Sequence, residues 1–313
     1  MIVRSNNNMV IENAAMQVTL EPDNGGKIRS LISKRTGAEY FFQDPRSKFD
    51  PARGYSYHDI SGLDECFPNV APCQFTSGKN KGVELDDHGS LWQRRWNNKI
   101  DSDALLQWVD DERLQFRFTR VCRFNNNELR LDYTIHNYGI EPLDYVYSTH
   151  PLLVANEHTK LELPKTVQQI YVTAAWGSSD LKENKWVNVP LSPASDLCGP
   201  YAASRQMLFK AFTQPQQAPW VRVHRRELGE TLEVRGDAAN LPHMGILVSQ
   251  GFDTLGDGDF KGQFLLGIEP TSGIGDDHQT CVQTKTLRQL TPGQIINFWV
   301  AFSLKQTLDE VHK

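Results

Sequence analysis

The stretch LQFRFTRVCRFNNNELRLDYTIH, residues 114–136, decides the fold class. Leu114, Phe116 and Phe118 alternate with Gln115, Arg117 and Thr119. After Asn125, Asn126 and Asn127 the alternation resumes, with Leu129, Leu131, Tyr133 and Ile135 against Arg130, Asp132, Thr134 and His136. A period of two places every second side chain on one face of an extended chain, so each run has one apolar and one wet face. Asparagine tolerates the backbone angles of a tight turn. The stretch therefore predicts an antiparallel hairpin covering a core.

Outward from this hairpin the same period recurs. Met16, Val18 and Leu20 show it, as do Leu143, Tyr145 and Tyr147, then Met244, Ile246 and Val248. Ile296, Phe298, Val300 and Phe302 repeat it after the turn Thr291-Pro292-Gly293. Helical periodicity is scarce, with short candidates at Ser204–Phe212 and Leu308–His312. The segment Lys182–Gln217 is looser and holds several prolines, which fits a long excursion better than a domain boundary. Many short strands with Gly, Pro and Asn turns predict an all-β protein, a large antiparallel β-sandwich formed as one domain over residues 1–313.

The net charge of −5 comes without a basic stripe, which argues against nucleic acid and anionic membrane surfaces as partners. No apolar run approaches the ~20 residues that span a bilayer. The first residues, MIVRSNNNMV, have no apolar signal core, so a cytoplasmic location is expected. Cys66, Cys73, Cys122, Cys198 and Cys281 are scattered, odd in number and without a CxxC pair. Free thiols are expected rather than a disulfide framework or zinc knuckle. Cys66 stands out because it follows Asp64 and Glu65.

Three ionisable residues sit where strands should end. Glu269 lies in LLGIEPTSGIGDD, residues 265–277, where an apolar run stops at Pro270 and leads to a loop. His150 ends an alternating run and is followed by Pro151, which breaks a strand ladder. His88 lies in Asp86-Asp87-His88-Gly89-Ser90-Leu91-Trp92, where glycine permits close approach and Trp92 offers a flat apolar wall. Chemistry tends to be placed on loops held by rigid elements. His136, His158, His224 and His312 have polar neighbours and fit surface positions. Trp92 and Trp96 flank Arg94 and Arg95, an aromatic and charged cluster suited to sugar faces. The loop Ser61–Asn69 carries Asp64 and Glu65 and could line a pocket. No HxH, HExxH, phosphate loop or GxSxG elbow is present, so a metal site is not expected. The acidic turn Gly256–Asp259 reads as solvated.

These pieces resemble the aldose 1-epimerase, or galactose mutarotase-like, family. The carrying motifs are Asp87-His88-Gly89 with Leu91-Trp92 and Trp96, then Thr149-His150-Pro151, then Ile268-Glu269-Pro270-Thr271. The resemblance implies a supersandwich with a sugar cleft on one sheet and cofactor-free interconversion of anomers. It implies Glu269 as general base, His150 as general acid and His88 as a hydrogen-bonding partner of the sugar. Trp92 belongs to the same expected cleft. The sugar-binding arginine of the family could be Arg53 or Arg94, and its sugar-contacting aspartate could be Asp64 or Asp237. Thr149, Leu152 and Leu153 depart from the Asn and aromatics that flank the mid-chain His in many sugar-active members. The alternatives are a carbohydrate-binding module without turnover, and a glycoside hydrolase or lyase pairing Glu269 with Asp64 or Glu65. The expected partner is a small-molecule sugar, with no nucleic acid or membrane, and the expected assembly a monomer or homodimer.

Overall fold

The computed structural model describes residues 1–46, 51–177, 181–191, 198, 199, 204, 206–252 and 262–306. Among them, eleven strands form one sheet and eight form a second, all neighbours antiparallel. The larger sheet runs in the order Ile2–Ser5, Asn8–Glu12, Met16–Glu21, Lys27–Ser33, Leu63–Cys66, Ser148–Val154, Phe264–Thr271, His243–Gln250, Met207–Thr213, Gln169–Trp176 and Lys185–Asn188. The smaller runs Thr159–Glu162, Trp220–Arg225, Glu230–Gly236, Ile295–Gln306, Glu128–Asn137, Phe116–Asn125, Ala104–Asp111 and Asn97–Asp101. The all-β antiparallel sandwich is the observed architecture.

The hairpin that set the fold class pairs from Phe116↔Asn137 to Asn125↔Glu128, with Asn126 in the left-handed region at φ 53°. Its apolar face turns inward. Phe116 meets Phe67, just past the opposite sheet's strand Leu63–Cys66, edge to face at 4.7 Å, and Tyr133 stacks on Phe298 at 5.0 Å. A charged cluster also lies in this core. Arg120, in the inward-facing row of the hairpin, donates to Glu65 Oε1 at 2.9 Å and Gln107 Oε1 at 2.7 Å, and also to the Gly26 carbonyl. Tyr133 and Tyr147 donate their hydroxyls to Glu65 at 2.8 and 2.6 Å. Glu65 is thus committed to joining the sheets.

Two helical expectations compare differently with the structure. Ser204–Phe212 is largely strand, since Met207–Thr213 pairs with Gln169–Trp176 on one side and His243–Gln250 on the other. A short apolar run fits either a buried helix or a strand buried on both faces, and two flanking partners settle it. Leu308–His312 and the turn Gly256–Asp259 lie outside the described residues. One α-helix, His278–Gln283, starts at the N-cap Asp277, whose carboxylate accepts from Thr280 N at 2.8 Å.

The sheet order positions the site. Leu63–Cys66, Ser148–Val154, Phe264–Thr271, His243–Gln250 and Met207–Thr213 are consecutive neighbours although far apart along the chain. Their outward faces bring Asp64, His150, Glu269 and Lys210 to one region.

Candidate functional site

Glu269 faces away from the inter-sheet core near the end of Phe264–Thr271 and has no exposed surface. Its Oε1 lies 3.6 Å from His150 Nε2. Lys210 Nζ binds both carboxylate oxygens, at 2.9 and 2.7 Å, and reaches Asp276 at 3.2 Å. Ser148 Oγ contacts Glu269 at 3.4 Å. Space for the carboxylate depends on Gly267, where a Cβ would stand 2.8 Å from Glu269 Oε1 and 3.0 Å from Leu247 Cβ.

The imidazoles of His88 and His150 meet edge to face at 4.8 Å, with an angle of 88° between rings. His88 stacks on Tyr55 at 3.5 Å, and Asp87 Oδ1 holds its Nδ1 at 2.8 Å. The loop is bent for this purpose: His88 has φ 59° and Gly89 φ 69°. At Gly89 a Cβ would lie 2.2 Å from the Phe67 carbonyl, so no other residue fits. Trp92 donates its indole N–H to the Asp87 carbonyl at 2.9 Å and packs edge-on against Tyr55.

These groups border a cavity of about 300 Å³, at the small end of ligand pockets. His88, His150, Asp87, Lys210 and Asp276 line it together with Tyr55, Ser56 and a set of aliphatic side chains. Glu269 does not line it, because Lys210 and His150 stand between the carboxylate and the opening. Burial holds the His150 pKa well below the ordinary histidine value, and the neighbouring His88 ring and Lys210 ammonium add to this. The imidazolium expected at this position is therefore not the resting form at neutral pH. Burial would lower the Lys210 ammonium, but Asp276 and Glu269 outweigh it and hold the pKa above the usual value. Burial raises the Asp276 carboxyl, partly offset by Lys210.

The other sequence candidates lie elsewhere. Asp64 is buried behind the histidines, where Lys27 donates to it at 2.6 Å and the Tyr55 hydroxyl at 3.1 Å. It supports the cavity wall without lining it. Trp92 is likewise buried beneath Tyr55. Arg94 is held by Asp111 at 2.9 Å, and Arg53 is exposed with its guanidinium 4.1 Å above the Tyr57 ring. Neither arginine lines the cavity. Asp237 caps a turn, accepting from Asn240 at 2.8 Å. Burial pushes the Cys66 thiol well above its usual pKa, which removes the thiolate needed for nucleophilic chemistry. Among the described residues no three His, Cys, Asp or Glu side chains are grouped to hold a metal ion. Nor is any helix there long and apolar enough to cross a membrane.

No protein-family model matches the sequence, and no curated protein matches it. Solved structures do. The Slr1438 protein of Synechocystis sp. PCC 6803 superposes with a TM-score of 0.73 at 16% identity, over 98% of this chain and 100% of its own. A galactose mutarotase related enzyme from Lactobacillus acidophilus gives 0.68 at 17% identity, over 98% and 100%. A galactose mutarotase-like protein from Lactobacillus casei gives 0.68 at 12% identity, over 95% and 100%. The chain has the galactose mutarotase-like fold. In this example of the galactose mutarotase-like fold, sequence reading located His88, His150 and Glu269 but missed Lys210 and Asp276. Asp276 was visible only as half of an acidic pair, and Lys210 sat in a run read as helical.

Proposed function

We propose that the protein is an aldose 1-epimerase that interconverts the α and β anomers of an aldose by acid/base ring opening. The observation that carries this reading is the meeting of His150 and Glu269, 3.6 Å apart, beside a cavity walled by His88. A structural neighbour named a galactose mutarotase related enzyme supports it. Anomer exchange needs a proton to leave the anomeric hydroxyl while another reaches the ring oxygen. The O–H electron pair forms the aldehyde, the bond from the anomeric carbon to the ring oxygen breaks, and its pair takes the incoming proton. Rotation and closure from the other face reverse both transfers. In this reading Glu269 accepts the first proton, the minor protonated form of His150 donates the second and returns to neutral imidazole, and His88 hydrogen-bonds the sugar. Lys210 swings off Glu269 on its flexible stem, keeping Asp276, to open the carboxylate to substrate.

Saturation-transfer NMR over a panel of aldoses tests this. Catalysed exchange is expected for at least one sugar. Loss of it is expected in Glu269→Gln and His150→Ala with the fold intact, and unchanged rates in both variants overturn the assignment.

One observation favours a second reading, a sugar-binding protein without turnover: Lys210 covers both Glu269 oxygens. Calorimetric binding of a sugar with no exchange above background would decide for it. The hydrolase reading loses one of its partners, since Glu65 faces the inter-sheet core and binds Arg120 there.

A further inference from the structure

The cavity is two-sided, and strand register sets the division. Lys210 pairs with Leu247, Leu247 with Gly267 and Gly267 with Leu152. One pleat further from Glu269, roughly 7 Å along the strands, the register sets Trp176 beside Leu208, Leu208 beside Ser249 and Ser249 beside Leu265. Leu152, Leu208, Leu247, Leu265, Ala174 and Trp176 all line the cavity. Of these, Leu152, Leu265 and Leu247 also pack with Ile60 and Phe42 in an apolar cluster separate from the inter-sheet core. Trp176 stands at the rim, 49% exposed and stacked on Phe252 at 6.1 Å.

A plain hexose carries a hydroxyl on almost every carbon. The hydrogen-bonding side chains of the described lining are Ser56, Asp87, His88, His150, Lys210 and Asp276, besides the Trp176 N–H and a Tyr55 hydroxyl already given to Asp64. The aliphatic side chains of the lining offer a hydroxyl nothing, and Ser249 between them is buried with its hydroxyl on the Phe252 carbonyl at 3.4 Å. A hydroxyl buried there loses its water without replacement, whereas a methyl group buried there gains.

We propose that the substrate is an aldose that is apolar at the carbon on the far side of the ring oxygen from the anomeric centre, a deoxy sugar with a methyl group in place of a hydroxymethyl. The anomeric carbon and ring oxygen lie against His88, His150 and Lys210, and the methyl edge lies on Leu208, Leu265 and Leu247. This rests on the epimerase reading for turnover but not for binding.

The test compares matched pairs that differ only in that group: D-fucose with D-galactose, D-quinovose with D-glucose, and L-rhamnose with L-mannose. Both calorimetric binding and NMR anomer exchange are measured for each. In at least one pair the deoxy sugar should bind about 10-fold tighter or more, with kcat/KM higher in the same proportion. Trp176→Ala, at an exposed position, should narrow that ratio, and Leu208→Asn should reverse it. Equal or weaker binding of every deoxy sugar than of its parent overturns the inference, as does an unchanged ratio in both variants. Preferential binding of a deoxy sugar without exchange upholds the inference and overturns the epimerase reading. Exchange of plain hexoses with no deoxy preference does the opposite.

Discussion

Lys210 Nζ spans both oxygens of a carboxylate that has no exposed surface, and Asp276 shares the same ammonium. Removing one member of a buried ion pair leaves the other charge without compensation. Lys210→Met should therefore cost about 3–5 kcal/mol of stability, read from the urea midpoint at constant m. A variant as stable as the parent would show that Glu269 is held by other groups. The histidine beside it makes a second prediction. Because burial pushes the His150 pKa below its ordinary 6.5, the protonated fraction above that pKa shrinks roughly tenfold per pH unit. If His150 is the proton donor, kcat/KM for anomer exchange rises as pH falls from 8 toward 5.5. A flat profile over that range would transfer the donor role to Lys210. Of these residues, His88, His150 and Glu269 were legible in sequence because each stands beside a Pro or Gly. Pro151 and Pro270 nevertheless lie within the paired strands Ser148–Val154 and Phe264–Thr271 and do not end them as the sequence suggested, since flanking strands hold the ladder on either side. Lys210 has no such neighbour, and its role comes from strands brought beside it.

At the scale of the element, the strand Phe264–Thr271 combines an apolar inner face with an outer face that alternates Leu265, Gly267 and Glu269. Gly267 leaves the gap that the Glu269 carboxylate fills. Gly267→Ala should lower exchange by about tenfold or more by displacing a positioned group, while overpacking costs about 1–3 kcal/mol. NMR exchange and thermal unfolding on one preparation separate the two effects. Full activity would show that the carboxylate has room to move. Element type was readable wherever one face is wet, as in residues 114–136, because water on one side imposes the period of two. It was not readable in Met207–Thr213, where both faces are buried and the alternation of polarity disappears. The short helix His278–Gln283 is announced by Asp277, an N-cap signal lost among neighbouring acids.

Across the described residues the two sheets are joined by apolar packing and by charged clusters, among them Glu65 with Arg120, Tyr133 and Tyr147. Arg120→Met should destabilise by about 3–5 kcal/mol, since Glu65 is left buried without its cation. The double variant Arg120→Met with Glu65→Leu should recover much of that loss, as apolar replacement of a whole buried pair often does. Denaturant unfolding of the two variants beside the parent checks both, and a double variant no better than the single would show that the tyrosine hydroxyls dominate.

The sequence by itself determined that the chain is an antiparallel sandwich and singled out His88, His150 and Glu269 as candidates, because alternation and Pro or Gly neighbours are local. The sheet order was decided only by tertiary structure, since it depends on pairing between segments as far apart in the chain as Glu128 and Ser303. That order turns Glu65 into a core residue, sends Arg94 to Asp111, and sets Lys210 over Glu269. Which partner a charged side chain finds follows from the face it occupies and the strand beside it, and neither is written in its neighbours along the chain.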